Sequence, residues 1–327
     1  MQATRREFLP LAAAALSASC TKKQMEPMIK SGTSAVVVMK AASYSVDLVS
    51  KILDGIRISN LDVKGKKVLL KPNLVEFDHN TAINTDVAVV AAAYEAFRSL
   101  GAQVVIAEGP GHRRDTIGIA EQAGYRQGLE NFDSVFVDLN RDDVTAVQNF
   151  AHHKQIYLPN TALAADLIVS VAKMKTHHWA GATLSMKNFF GLVPGSVYGW
   201  PKNFLHFTGI DMSIIELNRI FPKTFAIVDG IIGMEGNGPI QGTPKHAGVM
   251  VMGTDNMAVD ATCCRIMGID PTKVAYLAGA QHLGIIEQAR IQQRGETIES
   301  VATDFQLIKE FANLSLRHAV AQSIEAG

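Results

Sequence analysis

One stretch decides the fold of this chain: Leu167-Ile168-Val169-Ser170-Val171, which leads through Ala172 into the polar segment Lys173-Met174-Lys175-Thr176-His177-His178. An apolar run of this length, interrupted only by Ser170, is typical of a strand that is buried on both faces of its sheet. In open α/β sheets, ligands bind beyond the carboxyl ends of the strands. The stretch therefore predicts a central strand and, directly after it, a functional edge.

Similar apolar runs recur along the chain and are separated by segments with helical spacing. Further strands are predicted at 34–39, 68–70, 104–107, 135–137, 225–228 and 249–252. Helices are predicted at 45–56 (with Ser45 as the cap), 87–100, 255–267 and 272–283. Strands that alternate with helices in this way indicate an α/β fold, with a mostly parallel sheet and helices on both faces. If the domain divides into two lobes, we expect the boundary near residue 165.

Composition excludes several classes of protein. The chain has 327 residues, of which 47% are hydrophobic, so it can bury a large core. Lys and Arg together number 31, as do Asp and Glu, and this zero net charge argues against a nucleic-acid binder. The three cysteines, at positions 20, 263 and 264, are too few for a disulfide framework or for an iron–sulfur cluster held by this chain alone.

The N-terminus has the layout of an export signal. Thr4-Arg5-Arg6-Glu7-Phe8-Leu9 precedes a short apolar run, as in twin-arginine signal peptides. We predict a signal peptide at 1–19, a tether at 20–33 and export to the periplasm through the twin-arginine translocon. The residues before Cys20 also resemble a lipoprotein cleavage box, which would make Cys20 a membrane anchor; ordinary cleavage after Ser19 is the alternative.

Polar residues follow several of the predicted strands. Lys71-Pro72-Asn73 follows one, Glu108-Gly109-Pro110-Gly111 follows another, and Asp229-Gly230 leads from a third into a glycine-rich loop with Glu235. The densest polar segment, 173–194, follows the central strand. Because the carboxyl ends of parallel strands meet at one edge, we expect these residues to form one site.

The residue types in these segments suit a small anionic ligand, because lysine amines and hydroxyl groups bind carboxylates and phosphates. A helix predicted from about 181 to 190 would place Thr183 and Lys187 on one face. The catalytic candidates, for proton transfer, are Lys175, His177, Lys187 and Glu235. The candidates for anion binding are Lys71, Asn73, Glu108, Gly109, Gly111, Lys173, Thr176, Thr183, Ser185, Asn188 and Asp229. The alternatives are a basic solvated face for the lysines and simple turn chemistry for Asp229 and Glu235.

Five motifs, in this order, resemble the family catalogued as domain of unknown function 362. They are Lys71-Pro72-Asn73-Leu74, Glu108-Gly109-Pro110-Gly111, Lys173-x-Lys175-Thr176-His177, Thr183-Leu184-Ser185-x-Lys187-Asn188-x-Phe190-Gly191, and Asp229-Gly230 with Gly233-Met234-Glu235-Gly236-x-Gly238-Pro239. The resemblance covers about residues 35 to 285. Many relatives carry a ferredoxin-like iron–sulfur module, but this chain lacks the cysteines for one.

The resemblance also brings an analogy of architecture. The family is distantly similar to nickel-pincer lactate racemases, whose lysines and histidines hold the cofactor and move protons. This analogy implies, as expectations, a divalent metal or nickel-type cofactor and an isomerase- or racemase-like reaction. Asp229 and Glu235 are candidate metal carboxylates. Metal ligation would need further oxygen ligands, or histidines such as His177, His206 or His246, and no HxxxH or CxxC spacing supports it.

Two hypotheses of function follow. The first is an exported enzyme that acts on a small anionic substrate, such as a 2-hydroxy acid, by lysine and histidine proton transfer. The second is a periplasmic ligand-binding or cofactor-carrying accessory protein without turnover. Ligand binding alone fits both hypotheses, so turnover is the observation that separates them.

Overall fold

The computed structural model describes residues 30–317. The predicted signal peptide, Cys20 and the tether up to residue 29 lie outside these residues, and the predictions for them stay untested. Between residues 30 and 317, none of the helices combines the length and the hydropathy of a membrane-spanning segment.

Strands and helices alternate along most of the chain. The strands are β1 (Ser34–Lys40), β2 (Lys67–Pro72), β3 (Gln103–Glu108), β4 (Phe136–Asp138), β5 (Val144–Phe150), β6 (His153–Pro159), β7 (Leu167–His177), β8 (Gly181–Thr183), β9 (Thr224–Glu235), β10 (Thr243–Gly253) and β11 (Ile291–Gly295). The helices are α1 (Leu48–Ile58), α2 (Val87–Ser99), α3 (Thr116–Gln122), α4 (Tyr125–Gly128), α5 (Phe132–Val135), α6 (Asn160–Leu163), α7 (Gly195–Tyr198), α8 (Asn203–Phe207), α9 (Ile210–Ile220), α10 (Asn256–Ile266), α11 (Ala275–Gly279) and α12 (Ile298–Val301). Short 3₁₀ helices span Lys187–Leu192, Pro271–Lys273, Gln288–Arg290 and Lys309–Leu314.

The main sheet is mixed and mostly parallel, in the order β11-β1-β10-β9-β7-β2-β3-β4, with β8 paired to β7. The strands β9, β7, β2, β3 and β4 run parallel to one another, so their carboxyl ends share one edge. Strands β1, β9 and β8 each pair antiparallel with a neighbour. The α/β fold and the mostly parallel sheet predicted from the sequence are therefore confirmed.

The central strand β7 is buried along its whole length. Its side chains alternate between two cores: Val169 and Val171 pack with α1 and α2, whereas Ala172 and Met174 pack with α9, α10 and α11. Burial on both faces explains why its sequence before Lys173 is apolar except at Ser170, whose hydroxyl donates to the Ser185 carbonyl at 2.9 Å. Strand β2, before residue 165, pairs with β7, after it, in the same sheet. The lobe boundary near 165 stays a prediction.

Several predicted helix boundaries shift. Asp47, not Ser45, caps α1 by accepting a hydrogen bond from the Ser50 amide, because its carboxylate lies at the correct distance from the first turn. The predicted helix at 272–283 is a 3₁₀ turn followed by the short α11. Helices at 87–100 and 255–267 are confirmed to within a residue at each end, with Asp86 and Asp255 as their caps.

The helix predicted at 181–190 is wrong. Residues 181–183 instead form β8, in which Thr183 pairs with Lys175 of β7, and a 3₁₀ helix follows from Lys187. The backbone between these two elements is held by Asp260 of α10, which accepts hydrogen bonds from the amides of Ser185 and Met186. Pairing with a neighbouring strand thus overrides the local helical spacing.

Candidate functional site

A cavity of about 370 Å³ lies beyond the carboxyl ends of β2, β3 and β7. Nine of the predicted site residues line it: Lys71, Asn73, Glu108, Gly111, Lys175, His177, Thr183, Lys187 and Asn188. Four of these residues lie at the ends of β2, β3 and β7: Lys71, Glu108, Lys175 and His177. Asn73 and Gly111 lie in the loops after β2 and β3, Thr183 lies on β8, and Lys187 and Asn188 lie on the following 3₁₀ helix. The structure therefore brings together residues that are up to 117 positions apart, as in the contact between Lys71 and Asn188.

A buried ion pair forms the floor of the cavity. The Lys71 amine contacts the Glu108 carboxylate and donates a hydrogen bond to Asn188 Oδ1 at 3.0 Å. Asn188 in turn donates to the Lys71 carbonyl at 2.9 Å. Burial raises the pKa of Glu108, and the neighbouring Lys71 opposes that rise. A side chain at Gly191 would overlap both Glu108 and Lys71, so glycine is required there for the pair to form.

Two further lysines face the cavity without a carboxylate partner in the described part of the chain. Lys175 donates only to the carbonyl oxygens of Ile83 and Pro239, at 2.8 and 3.3 Å. Burial, and next the nearby Lys187, hold the pKa of Lys175 well below its usual value. The Lys187 amine lies 4.2 Å from the centre of the Phe190 ring, and burial lowers its pKa to about 8 although Asp211 opposes this.

Lys202 is a third such lysine, and the sequence analysis missed it. Its amine donates to the Gly109 carbonyl at 2.5 Å, and burial lowers its pKa to about 7 although Glu108 opposes this. The residue follows Pro201 in a loop, adopts a left-handed backbone (φ 60°) and belongs to no predicted strand end. The pattern of strand ends does not indicate Lys202, because only the tertiary fold brings its loop to the cavity.

The adjacent histidines at the end of β7 carry their ring protons on different nitrogens. His177 Nδ1 accepts the backbone amides of Trp179 and Ala180, at 3.0 and 3.1 Å, so the proton of the neutral ring lies on Nε2. His178 Nδ1 lies 2.7 Å from the Gly238 carbonyl, which can only accept, so Nδ1 carries that proton and Nε2 is free to accept. Burial, followed by the charge of Lys187, holds the pKa of His177 well below its usual value.

Aromatic rings form the outer wall of the cavity. The His206 ring meets the Trp179 ring edge to face, with centroids 5.2 Å apart, and meets the Phe190 ring at 6.3 Å in a similar arrangement. The His178 ring also meets the Trp179 ring edge to face, with centroids 4.8 Å apart. His206, which the sequence suggested only as a possible metal ligand, lies on the wall of the cavity.

Three buried polar atoms on the cavity wall have no hydrogen-bond partner within residues 30–317. They are Asn73 Oδ1, Thr183 Oγ1 and His206 Nδ1. A buried polar atom without a partner is costly, so such atoms mark positions where a ligand or water supplies the missing bond.

The remaining predicted site residues do not line the cavity. Lys173 and Asp229 form a buried ion pair at 2.8 Å, and Tyr44 donates its hydroxyl proton to the same carboxylate at 3.2 Å. This cluster joins β7, β9 and the loop before α1. Its groups satisfy one another, so the contacts of Lys173 and Asp229 are those of structural residues.

The other four lie at the periphery of the site. Ser185 donates to Asp260, and Thr176 donates to the Gly236 carbonyl at 2.8 Å. Glu235 forms an ion pair with Lys245 at 3.3 Å and accepts from the Gln306 amide. Gly109 supplies the carbonyl that holds Lys202. The predicted catalytic role of Glu235 has no geometric support from the cavity, and the roles of all these residues stay predictions.

The cavity does not resemble a preformed metal site. Across residues 30–317, no group of three or more His, Cys, Asp or Glu side chains is placed to hold a metal ion. Glu108, a carboxylate on the cavity wall, is occupied by Lys71. Divalent cations prefer several oxygen or imidazole ligands. The side chains in place therefore do not fit a divalent metal, and the expectation of a nickel-type cofactor stays untested.

A family model described as "Domain of unknown function (DUF362)" matches residues 68–265. This chain belongs to the DUF362 family. The matched range contains every cavity residue named above, from Lys71 to His206. The membership predicted from the ordered motifs is confirmed.

Two known proteins are similar to this DUF362 chain. A thylakoid-associated protein of Synechocystis sp. is 28% identical over 236 residues, which are 70% of this chain and 71% of that protein. The lactate racemase apoprotein of Thermoanaerobacterium thermosaccharolyticum matches in structure with a TM-score of 0.48 and 13% identity, over 71% of this chain. The match spans 57% of the racemase chain, and at this score it carries no argument about the DUF362 site.

Proposed function

We propose that this protein is an enzyme that binds a small anionic substrate in the cavity and transfers a proton to or from it. One observation carries the proposal: Lys175, Lys187 and Lys202 lie around one cavity and lack a carboxylate partner within the described residues. Burial is the main cause that lowers the pKa values of all three amines; the charge of Lys187 lowers that of Lys175 further, and the charge of Lys71 lowers those of Lys187 and Lys202. A bound anion supplies the missing negative charge.

The same lysines support proton transfer. With a pKa of about 8, roughly a tenth of Lys187 is neutral at pH 7 and can act as a base. His177 is expected to act differently, as a neutral donor through Nε2–H, because two backbone amides occupy its Nδ1. Proton transfer by His177 itself stays a prediction from the sequence, and the donor role is our proposal from this geometry.

Thermal-shift measurements with acetate, phosphate and sulfate test anion binding. We expect at least one of them to raise the melting temperature, and Lys187→Met to weaken that response by roughly tenfold in apparent Kd. Lys64→Met, at an exposed lysine away from the cavity, is the matched control and keeps the response. If no anion stabilises the wild-type protein, the proposed site is wrong.

Turnover separates the enzyme from the accessory protein. Incubation of a bound carboxylate with the protein in D₂O, followed by proton NMR, detects exchange of a carbon-bound hydrogen. We expect exchange with the wild type and its loss in Lys187→Met. Saturable binding without exchange or any other chemical change would favour the non-catalytic ligand carrier.

We also propose that the protein acts outside the cytoplasm. The support is the N-terminal segment with Arg5 and Arg6 in front of a short apolar run. Cys20 remains the candidate for a lipid anchor, and mass spectrometry of the mature protein would detect the added lipid.

A further inference from the structure

The cavity is larger and less polar than a very small acid requires. Its volume of about 370 Å³ is in the range of roughly 300–1,000 Å³ that is typical of sites for larger organic ligands. Beyond the lysines, the wall includes Leu74, Val75, Leu205 and Ile240. A two- or three-carbon acid would leave most of this apolar surface in contact with water. The lysines thus account for one end of a ligand, and the apolar wall accounts for the other.

The rings on the wall indicate what the apolar end is. Trp179, Phe190 and His206 meet nearly edge to face, at interplanar angles of 76° and 80°. Rings in such an arrangement present both faces and edges to a planar guest, and aromatic pairs gain from these geometries beyond the burial of area. The Trp179 side chain is 59% exposed, so its own packing does not explain its position at the cavity.

The unpartnered atoms indicate a third ligand group. Asn73 is 7% exposed, and its Oδ1 is an acceptor that lacks a donor within residues 30–317. Thr183 is 4% exposed, and its hydroxyl also lacks a partner there. A ligand ammonium could donate to Asn73, but the cationic amines on the same wall would repel it. A neutral donor such as a hydroxyl meets both requirements.

From these three observations we infer that the ligand is an aromatic carboxylate that carries a hydroxyl group. The carboxylate binds the lysines, the aromatic ring packs against Trp179, Phe190 and His206, and the hydroxyl donates to Asn73 Oδ1. The inference rests on the proposed function, since it uses the same cavity and the same lysines, and it adds the chemical class of the ligand.

A ligand series tests each group separately by calorimetry or thermal shift. The full probes are 3-phenyllactate and 3-(4-hydroxyphenyl)propionate, which carry the hydroxyl at different ends. Two further ligands each lack one group: 3-phenylpropionate lacks the hydroxyl, and lactate lacks the aromatic ring. Phenylalanine carries an ammonium group in place of the hydroxyl of 3-phenyllactate. We expect at least one full probe to bind about tenfold more tightly than 3-phenylpropionate and lactate, and phenylalanine to bind most weakly.

Single-residue variants, each compared with a control variant, show which residue provides each gain in affinity. Trp179→Ala should weaken the aromatic probes about tenfold and leave acetate unchanged within about twofold. Phe207→Ala is the control, because this ring is 84% exposed and does not line the cavity. Asn73→Ala should remove the preference for the hydroxyl while 3-phenylpropionate binds as before.

The outcomes separate this inference from the proposed function. If acetate or phosphate binds in a Lys187-dependent manner but the aromatic probes gain nothing over lactate, the inference about the ligand is overturned and the anion site stands. If neither hydroxylated probe exceeds 3-phenylpropionate, the hydroxyl is excluded. If no anion of any kind binds, both the inference and the proposed function fail.

Discussion

The charge of Lys187 lowers the stability of the folded protein. Its amine makes no hydrogen bond within residues 30–317 and lies against the Phe190 ring, and burial lowers its pKa from 10.5 to about 8. A lowered lysine pKa means that the folded state disfavours the charged form relative to the unfolded state. Functional sites often retain such destabilising groups, because the ligand compensates them when it binds.

The first prediction concerns this residue. Below pH 8, Lys187 is charged in both the folded and the unfolded protein, and the full cost of burying the charge lowers the free energy of unfolding. Between about pH 8 and 10.5, Lys187 loses its proton in the folded protein but keeps it in the unfolded protein, so this cost decreases as the pH rises. Lys187→Met should therefore raise the free energy of unfolding at pH 7, by up to about 3 kcal/mol. At pH 10 most of the gain should be gone.

Urea unfolding at both pH values measures this difference. Lys64→Met serves as the control and should change stability little at either pH, because Lys64 is exposed. An equal gain from Lys187→Met at pH 7 and pH 10 would show that the effect is hydrophobic and not electrostatic.

At the scale of elements, the site depends on how the segment between β8 and the following 3₁₀ helix is held. Asp260 of α10 accepts the Ser185 amide at 2.8 Å, the Ser185 hydroxyl at 2.5 Å and the Met186 amide at 3.0 Å. These bonds fix the backbone immediately before Lys187 and Asn188. A helix on one face of the sheet thereby positions side chains at its edge.

The second prediction tests this connection. Asp260→Ala leaves two buried amides without a partner, so we expect it to lower the free energy of unfolding by about 3 kcal/mol or more. Ser185→Ala removes the hydroxyl contacts with Asp260 and the Asn256 carbonyl but keeps both amide bonds to Asp260, and should cost about 1 kcal/mol. Chemical denaturation compares the two variants. Equal losses would mean that the backbone amides find other partners and that Asp260 does not hold the segment.

At the scale of the whole molecule, the third prediction concerns location. If Arg5 and Arg6 belong to a twin-arginine signal, replacing both with Lys should leave the precursor in the cytoplasm. Cell fractionation and immunoblotting of the wild type and the double variant measure this directly. An Arg-to-Lys change at Arg57 and Arg98, both exposed, is the control, because it exchanges two arginines outside the signal and should leave export unchanged. Unchanged export of the double variant, in cells with a working twin-arginine pathway, would exclude the signal.

The sequence by itself determined the class of fold. The runs at 167–171 and 225–228 are apolar except for Ser170 because β7 and β9 are buried on both faces, and this property is visible in the order of residues alone. The order of the motifs in the sequence also predicted the family. Most of the lysine-rich edge could be predicted because residues directly after parallel strands lie at the carboxyl edge of the sheet.

The tertiary structure decided which of those residues share a cavity. Lys173 and Lys175 lie two residues apart on β7, yet Lys173 pairs with Asp229 outside the cavity lining and Lys175 lines the cavity. Lys202 and His206 join from a loop and α8 that no strand pattern marks. Sequence spacing specifies the direction of a side chain within one element only. Burial and partners depend on contacts between distant segments, and these exist only in the folded chain.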